Sequence, residues 1–328
     1  MPDPSQLVGG NPTPVRWLAW LRLCRIGNVF TAFADVMMGY AAVSGRWTFT
    51  ELQRHGAELA GLLVASGAIY TAGMVWNDWF DQERDRVERP ERPIPSGAIS
   101  PQSAGRLGVV LLLVGNGAAL VACRPLAGNS TWLPLAISSI LTILVLTYDG
   151  WLKATVVGPV AMGACRTVNV LLGMSAAIGR VANWSAGHWA IAGGIGVYVA
   201  GITVVARSEV AGGKRGGPAG GLAIMMLGLG LLGCFHRWLP ESIRERIPQE
   251  WAWWGLLALI AFPILRRGID VLLEPSPDRV RLLVGLSILT LIVLDASIAL
   301  FLNGRLAGLA ILALLVPAVV ITRRIPPT

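Results

Sequence analysis

The sequence predicts an all-α fold: a polytopic membrane helical bundle of nine to ten transmembrane helices. Three observations predict it. The 328-residue chain is 54% hydrophobic and only 14% charged, where soluble domains carry about 25% charged residues. Uncharged stretches recur at close to the ~20 residues that cross a bilayer as a helix. The stretches also lack the strong amphipathic alternation of helices that pack one face on a core and wet the other.

In chain order, residues 1–15 are polar and proline-rich and read as a disordered leader, with 16–328 as a single transmembrane domain. The first apolar segment, 18–43, follows that leader and contains Arg22, Arg25 and Asp35, which separates it from a cleavable signal. Segment 57–79 runs without charge from Leu59 to Asn77 and ends in a burst of acids. Segments 105–123 and 132–148 follow. Segment 155–179 carries Arg166 inside an apolar run, and a charge there is costly unless it faces a polar cavity or a partner. Segments 188–206 and 218–235 are rich in Gly and Ala, as expected where membrane helices approach closely. Segment 251–266 is the weakest, short enough to be tilted or interfacial, so nine spans stays open. Segments 280–302, which contains Asp295, and 305–322 complete the ten.

With ten spans and both termini cytoplasmic, most of the 27 Lys and Arg fall in loops on the cytoplasmic side. The positive-inside rule then places a multi-pass protein in the cell (inner) membrane with the acidic burst facing the cytoplasm. The net charge of +8 reads as topology signalling and contact with membrane lipids, not as a nucleic-acid surface. Cys24, Cys123, Cys165 and Cys234 are isolated in apolar segments without metal or disulfide spacing. The three histidines are too scattered to form a ligand set.

The acidic burst is the strongest chemical signal. Asn77, Asp81 and Asp85 fall at i, i+4 and i+8, so a straight helix presents them on one face, with Asp78 and Glu83 beside them. Oxygen ligands at a membrane boundary suit Mg²⁺, which is usually held by one or two carboxylates plus substrate phosphates. Arg84, Arg86, Arg89 and Arg92 follow within a loop, ahead of Pro93-Ile94-Pro95-Ser96-Gly97. The plain alternative is a solvated helix end whose acids and arginines neutralise one another.

Asn77-Asp78-x-x-Asp81-x-x-x-Asp85 followed by Arg92-Pro93-Ile94-Pro95-Ser96-Gly97 resembles the first aspartate-rich motif of the UbiA family of intramembrane prenyltransferases. Arg25-Ile26-Gly27-Asn28 resembles that family's Arg-x-x-Asn. Tyr148 through Lys153 resembles its Tyr-x-x-x-x-Lys, and Arg166-Thr167-Val168-Asn169 resembles its fifth helix. The likeness covers roughly 15–235. It departs at the second motif, where Ala206-Arg207-Ser208-Glu209 and the glycine-rich stretch to Arg215 hold one acid, a variant similar to an EboC-like bacterial subgroup.

The resemblance implies Mg²⁺-dependent transfer of a prenyl group from a prenyl diphosphate to a small, aromatic or otherwise lipophilic acceptor. It implies metal binding at Asn77, Asp78, Asp81, Asp85 and Glu209, with Asp81, Asp85 and Lys153 catalytic. Diphosphate binding falls to Arg92, Lys153, Arg207 and Lys214, and the acceptor side to Asn28, Arg166 and Asn169. Glu209 also reads as a surface partner of Arg207, and Lys153 as a snorkelling lysine. Asp149 is a candidate base by position only. A different class remains as the alternative: a transporter or ion pathway using Arg166, Asp35 and Asp295 as intramembrane charges. It leaves the Asn77–Gly97 block unexplained.

Overall fold

A computed structural model of the chain describes residues 16–44, 47–123, 132–178, 184–208, 216–245 and 250–325. The expected leader, Glu209 and Lys214 lie outside these residues. The described helices are α1 (Arg16–Leu23), α2 (Ile26–Val43), α3 (Phe49–Phe80), α4 (Gln82–Glu88), α5 (Pro101–Ala122), α6 (Leu133–Gly150), α7 (Gly158–Ile178) and α8 (Ala186–Arg207). The second half holds α9 (Gly216–Cys234), α10 (Glu241–Arg244), α11 (Glu250–Leu273), α12 (Pro277–Asn303), α13 (Arg305–Leu312) and α14 (Leu315–Arg324).

Among the described residues, eight helical stretches are long and apolar enough to cross a membrane. The two other expected spans are α7 and α11, at 21 and 24 residues. They have the length but carry polar cargo: Arg166 and Asn169 in α7, and Glu250, Arg266, Arg267 and Asp270 in α11.

The helix boundaries follow local chemistry. Ser100 caps α5 by accepting a hydrogen bond from the Ser103 amide at 3.2 Å, with Pro101 at the first helical position. Ser276 and Pro277 repeat this start for α12. Proline is favoured there because its missing N–H has no intrahelical partner to lose.

Six helices close a ring. α2 packs on α3, α3 on α6, α6 on α7, α7 on α8, α8 on α12, and α12 back on α2. The remaining long helices lie outside it: α5 against α3 and α6, α9 against α8, α11 against α9 and α12, and α13 and α14 against α12 and α2. α5 turns Val110 and Leu113 outward, 53% and 68% exposed, which is the surface a lipid-facing helix shows.

α2 and α7 also meet across the ring. A Cβ on Gly39 would sit 2.2 Å from the Val170 carbonyl oxygen, and one on Gly173 2.2 Å from that of Val36. The two backbones therefore touch where those glycines face each other. The contact closes the half of the ring away from Arg25 and leaves a space at the other end.

Gly173→Ala forces that contact apart and is expected to lower stability by roughly 1–3 kcal/mol, the range for overpacking. Gly230, in α9, has nothing within 4 Å of its would-be Cβ. Gly230→Ala should leave the thermal midpoint in detergent unchanged or slightly higher. Equal midpoints for the two variants would contradict the close approach.

The first predicted segment is not one helix. The chain breaks at Arg25, which adopts the left-handed conformation with φ 44°, uncommon for a residue with a Cβ. α1 then lies across the end of α3, where Leu23 packs with Val75, Ile94, Ile99 and Ala104.

Candidate active site

The ring encloses a cavity of about 370 Å³. Arg25 and Asn28 near the start of α2, Asn77 near the end of α3, and Tyr148 and Asp149 near the end of α6 mark its polar end. Ile69, Leu141, Val145, Met162, Ile202 and Leu291 make much of the remaining wall apolar. Ser66, Arg166 and Asn169 form a second polar patch deeper inside.

At the polar end the acids meet three cations. Asp78, 1% exposed, accepts from Arg25 Nη2 at 2.8 Å and from Arg92 Nη1 at 3.3 Å through Oδ1. Its Oδ2 is buried without a hydrogen-bond partner. Asp85 accepts from Arg92 Nη1 at 2.6 Å. Asp81 lies 2.7 Å from Lys153 Nζ, with both side chains about one-fifth exposed.

The sequence places Asn77, Asp81 and Asp85 on one helical face; the Asp81 and Asp85 amides donate to the Asn77 and Asp81 carbonyls at 3.0 and 2.8 Å, while the three side chains take different partners. Asp81 (φ −87°, ψ 0°) interrupts the helix between α3 and α4. Asn77 lines the cavity and Asp81 turns to Lys153, whereas Asp85 shares Arg92 with Asp78. Arg92 arrives there because the loop after α4 folds back. The Ser96 amide donates to the Arg92 carbonyl and the Ile99 amide to the Pro93 carbonyl, at 3.0 and 2.9 Å. Gly97 takes φ 77°, a conformation glycine adopts without a Cβ penalty. Ile94 and Ile99 then dock against α1.

Arg84 and Glu88 form an exposed pair at 2.9 Å. The hydrogen bond from Arg84 holds the Glu88 carboxyl below the usual carboxylate range. A pair so exposed contributes little to stability.

Arg207 does not reach the acids in this structure. Its guanidinium donates to the Thr155 carbonyl at 2.7 Å and to the Lys153 carbonyl. Gly158 makes room for it, since a Cβ there would lie 2.0 Å from Arg207 Nη2. Arg207 thus grips the short 3-10 turn, Leu152–Ala154, that carries Lys153 toward Asp81.

The deeper patch is one connected network. Arg166 Nη1 donates to Asp35 Oδ2 at 2.8 Å and Nη2 to Thr31 Oγ1 at 2.8 Å. Asn169 Nδ2 donates to Asp35 Oδ2 and to the Ala32 carbonyl, each at 3.0 Å, and its Oδ1 accepts from Ser66 at 2.7 Å. The guanidinium also sits 5.4 Å from the Tyr70 ring centre, within cation–π range. Asp295 on α12, fully buried, faces Asp35. The three intramembrane charges proposed for a transport path are therefore gathered in one cluster, not strung across the membrane.

Oxygen donors for a hard cation are present. Asn77 lines the cavity, Asp81 is partly exposed, and Asp78 Oδ2 is a buried oxygen without a donor. Among the described residues, no three His, Cys, Asp or Glu side chains cluster tightly enough to enclose an ion.

Sequence reasoning missed two members of the site. Arg25 was visible in the Arg-x-x-Asn motif, but nothing in a sequence announces a left-handed break. Tyr70 carried no signal apart from its position seven residues before Asn77.

Comparison with known proteins agrees with this architecture. The digeranylgeranylglyceryl phosphate synthase of Sulfolobus acidocaldarius is 36% identical over 135 residues, covering 41% of this chain and 44% of that enzyme. The alignment thus spans under half the length of that relative. Among solved structures, one of a digeranylgeranylglyceryl phosphate synthase in membranes superposes with a TM-score of 0.62 at 18% identity, covering 87% of this chain and 98% of that one. A UbiA homologue from Archaeoglobus fulgidus bound to GPP and Mg²⁺ gives 0.60 at 14% identity, covering 90% and 99%. At these identities the structural matches establish the shared fold. Residues 29–266 match the model of the UbiA prenyltransferase family, so most of the chain, including the acidic cluster and much of the cavity lining, places this protein in the UbiA prenyltransferase family.

Proposed function

We propose that this protein transfers a prenyl group from a prenyl diphosphate to a lipophilic acceptor inside the membrane, with Mg²⁺ as cofactor. The observation that carries the reading is the joint: an acid cluster with Arg25 and Lys153 at the mouth of an apolar cavity enclosed by six helices. A diphosphate belongs at such a mouth and an isoprenoid tail along such a wall.

Asn77, Asp78 and Asp81 would hold the metal, and Asp85 would support them through its shared Arg92. When bound, Mg²⁺ neutralises diphosphate oxygens and so favours scission of the C–O bond. Lys153, held beside Asp81, would provide a compact positive charge for a diphosphate oxygen. Arg25 offers a second guanidinium at the cavity wall. The buried walls keep water from the allylic cation. Asn28, Arg166 and Asn169 line the acceptor side, with Arg166 oriented by Asp35 and Thr31.

Arg207 acts through the turn it grips. Glu209 and Lys214 belong to the reading as a further metal ligand and a further diphosphate contact. A second motif reduced to one acid also supports an EboC-like bacterial subgroup. The positive-inside distribution supports a cytoplasm-facing site in the inner membrane, and residues 16–328 are read as one prenyltransferase domain.

The motif resemblance favours a small aromatic acceptor. The relatives' name favours a prenylated glyceryl phosphate. Detergent-purified protein with Mg²⁺, prenyl diphosphates of several chain lengths and both acceptor types should release pyrophosphate, and EDTA should stop it. Failure with every pair contradicts the proposal.

A further inference from the structure

Among the described residues, Asp149 is the one acid that lines the cavity. It is 3% exposed although it stands next to the last residue of α6, and it lines the cavity. Among the described residues it makes no hydrogen bond and no ion pair. The cations that could neutralise it are engaged elsewhere: Lys153 Nζ is 2.7 Å from Asp81, and Arg25 Nη2 is 2.8 Å from Asp78. Gly73 on α3 packs close beside it, since a Cβ there would lie 3.7 Å from Asp149 Oδ2. A buried carboxyl at membrane depth without a partner is expensive and points to function.

Its place fits one task. With the diphosphate held by Lys153 and Asp81, as the prenyl-transfer reading has it, the reacting carbon would enter the cavity that Asp149 lines. An acceptor attacking that carbon brings its nucleophilic atom to the same place.

We propose that Asp149 is the catalytic base that takes the acceptor's proton, and that the acceptor reacts through a hydroxyl oxygen, whether alcohol or phenol. The proposal rests on the prenyl-transfer reading above. The C1–O bond of the prenyl diphosphate breaks, and its electron pair leaves with pyrophosphate. The acceptor oxygen forms the new bond to C1, and its proton passes to the Asp149 carboxylate. No oxidant or further co-reactant is needed.

The test separates ionisation from proton removal. Full-length protein in nanodiscs, with Mg²⁺, receives geranyl diphosphate carrying ¹⁸O at the bridging position. Ionisation and return scatter the label to non-bridging positions without an acceptor. Asp149→Asn should keep this scrambling within about threefold of wild type. Transfer to the phenol and prenylglyceryl phosphate acceptors should fall about 100-fold, the effect of a positioned general base. Asp149→Glu should restore part of it. Because Asp149 has no partner to lose, Asp149→Asn should melt with the wild type, and Asp149→Ser substitutes if it does not.

Transfer within a few-fold of wild type in both variants overturns the proposal. So does loss of scrambling together with transfer, which would place Asp149 in the diphosphate or metal machinery. A wild-type protein that neither scrambles nor transfers overturns the underlying prenyl-transfer reading itself.

Discussion

Asp81→Ala is expected to reduce kcat/KM for prenyl transfer by about 10³-fold while leaving the fold intact. Two losses combine. The variant removes a carboxylate more accessible than Asp78 or Asp85, and it frees Lys153 from the partner 2.7 Å away that fixes its direction. Loss of one preorganised charge-stabilising group typically costs about 10²–10³ in rate. Stability should barely change, because the Asp81–Lys153 pair is about one-fifth exposed and such pairs contribute around 0–1 kcal/mol. The control is Asp295→Asn, which alters a buried acid outside the cavity lining and should retain turnover. Steady-state kinetics with a matched thermal melt decides the matter. If Asp295→Asn abolishes activity and Asp81→Ala does not, the site has been put in the wrong place.

The second large effect concerns the deeper network. Asp35→Leu strips Arg166 of the carboxylate it meets at 2.8 Å and removes an acceptor from Asn169. A charge left buried without its partner costs about 3–5 kcal/mol. The double variant Asp35→Leu with Arg166→Leu removes both charges and should recover part of that loss, since apolar replacement of a whole buried pair is often close to neutral. A coupling on the order of 0.5–3 kcal/mol is the expected signature of contact. Denaturation in mixed micelles measures it. Additive single and double variants would show that the ion pair does not exist in the membrane. Activity should fall in both backgrounds, because Arg166 faces the cavity.

Much of this organisation was legible in the sequence. Apolar stretches marked the long helices because a bilayer demands both length and apolarity. The i, i+3 spacing of Arg166 and Asn169 placed both on one wall, where they share Asp35. The acid cluster was legible as chemistry, but its pairing was not. Which acid takes Arg25, Arg92 or Lys153 depends on where a left-handed break and a folded-back loop deliver those cations, and partners 14, 53 and 72 residues apart leave no local pattern. The helical spacing of Asn77, Asp81 and Asp85 gives no sign of Arg92, which the folded-back loop brings to Asp85. The reach of Arg207 into the turn behind Lys153 was hidden for the same reason: it depends on the space left by Gly158.

The central claim is that a metal-bound diphosphate sits between the Asn77–Asp81 corner and Lys153. Titration of the purified protein with geranyl thiodiphosphate, a poorly ionising analogue, tests it most directly in the presence and absence of Mg²⁺. Binding should require Mg²⁺, weaken at least about tenfold in Asp81→Ala, and weaken without losing its metal requirement in Lys153→Ala. Binding that is indifferent to Mg²⁺ and to Asp81 would contradict it.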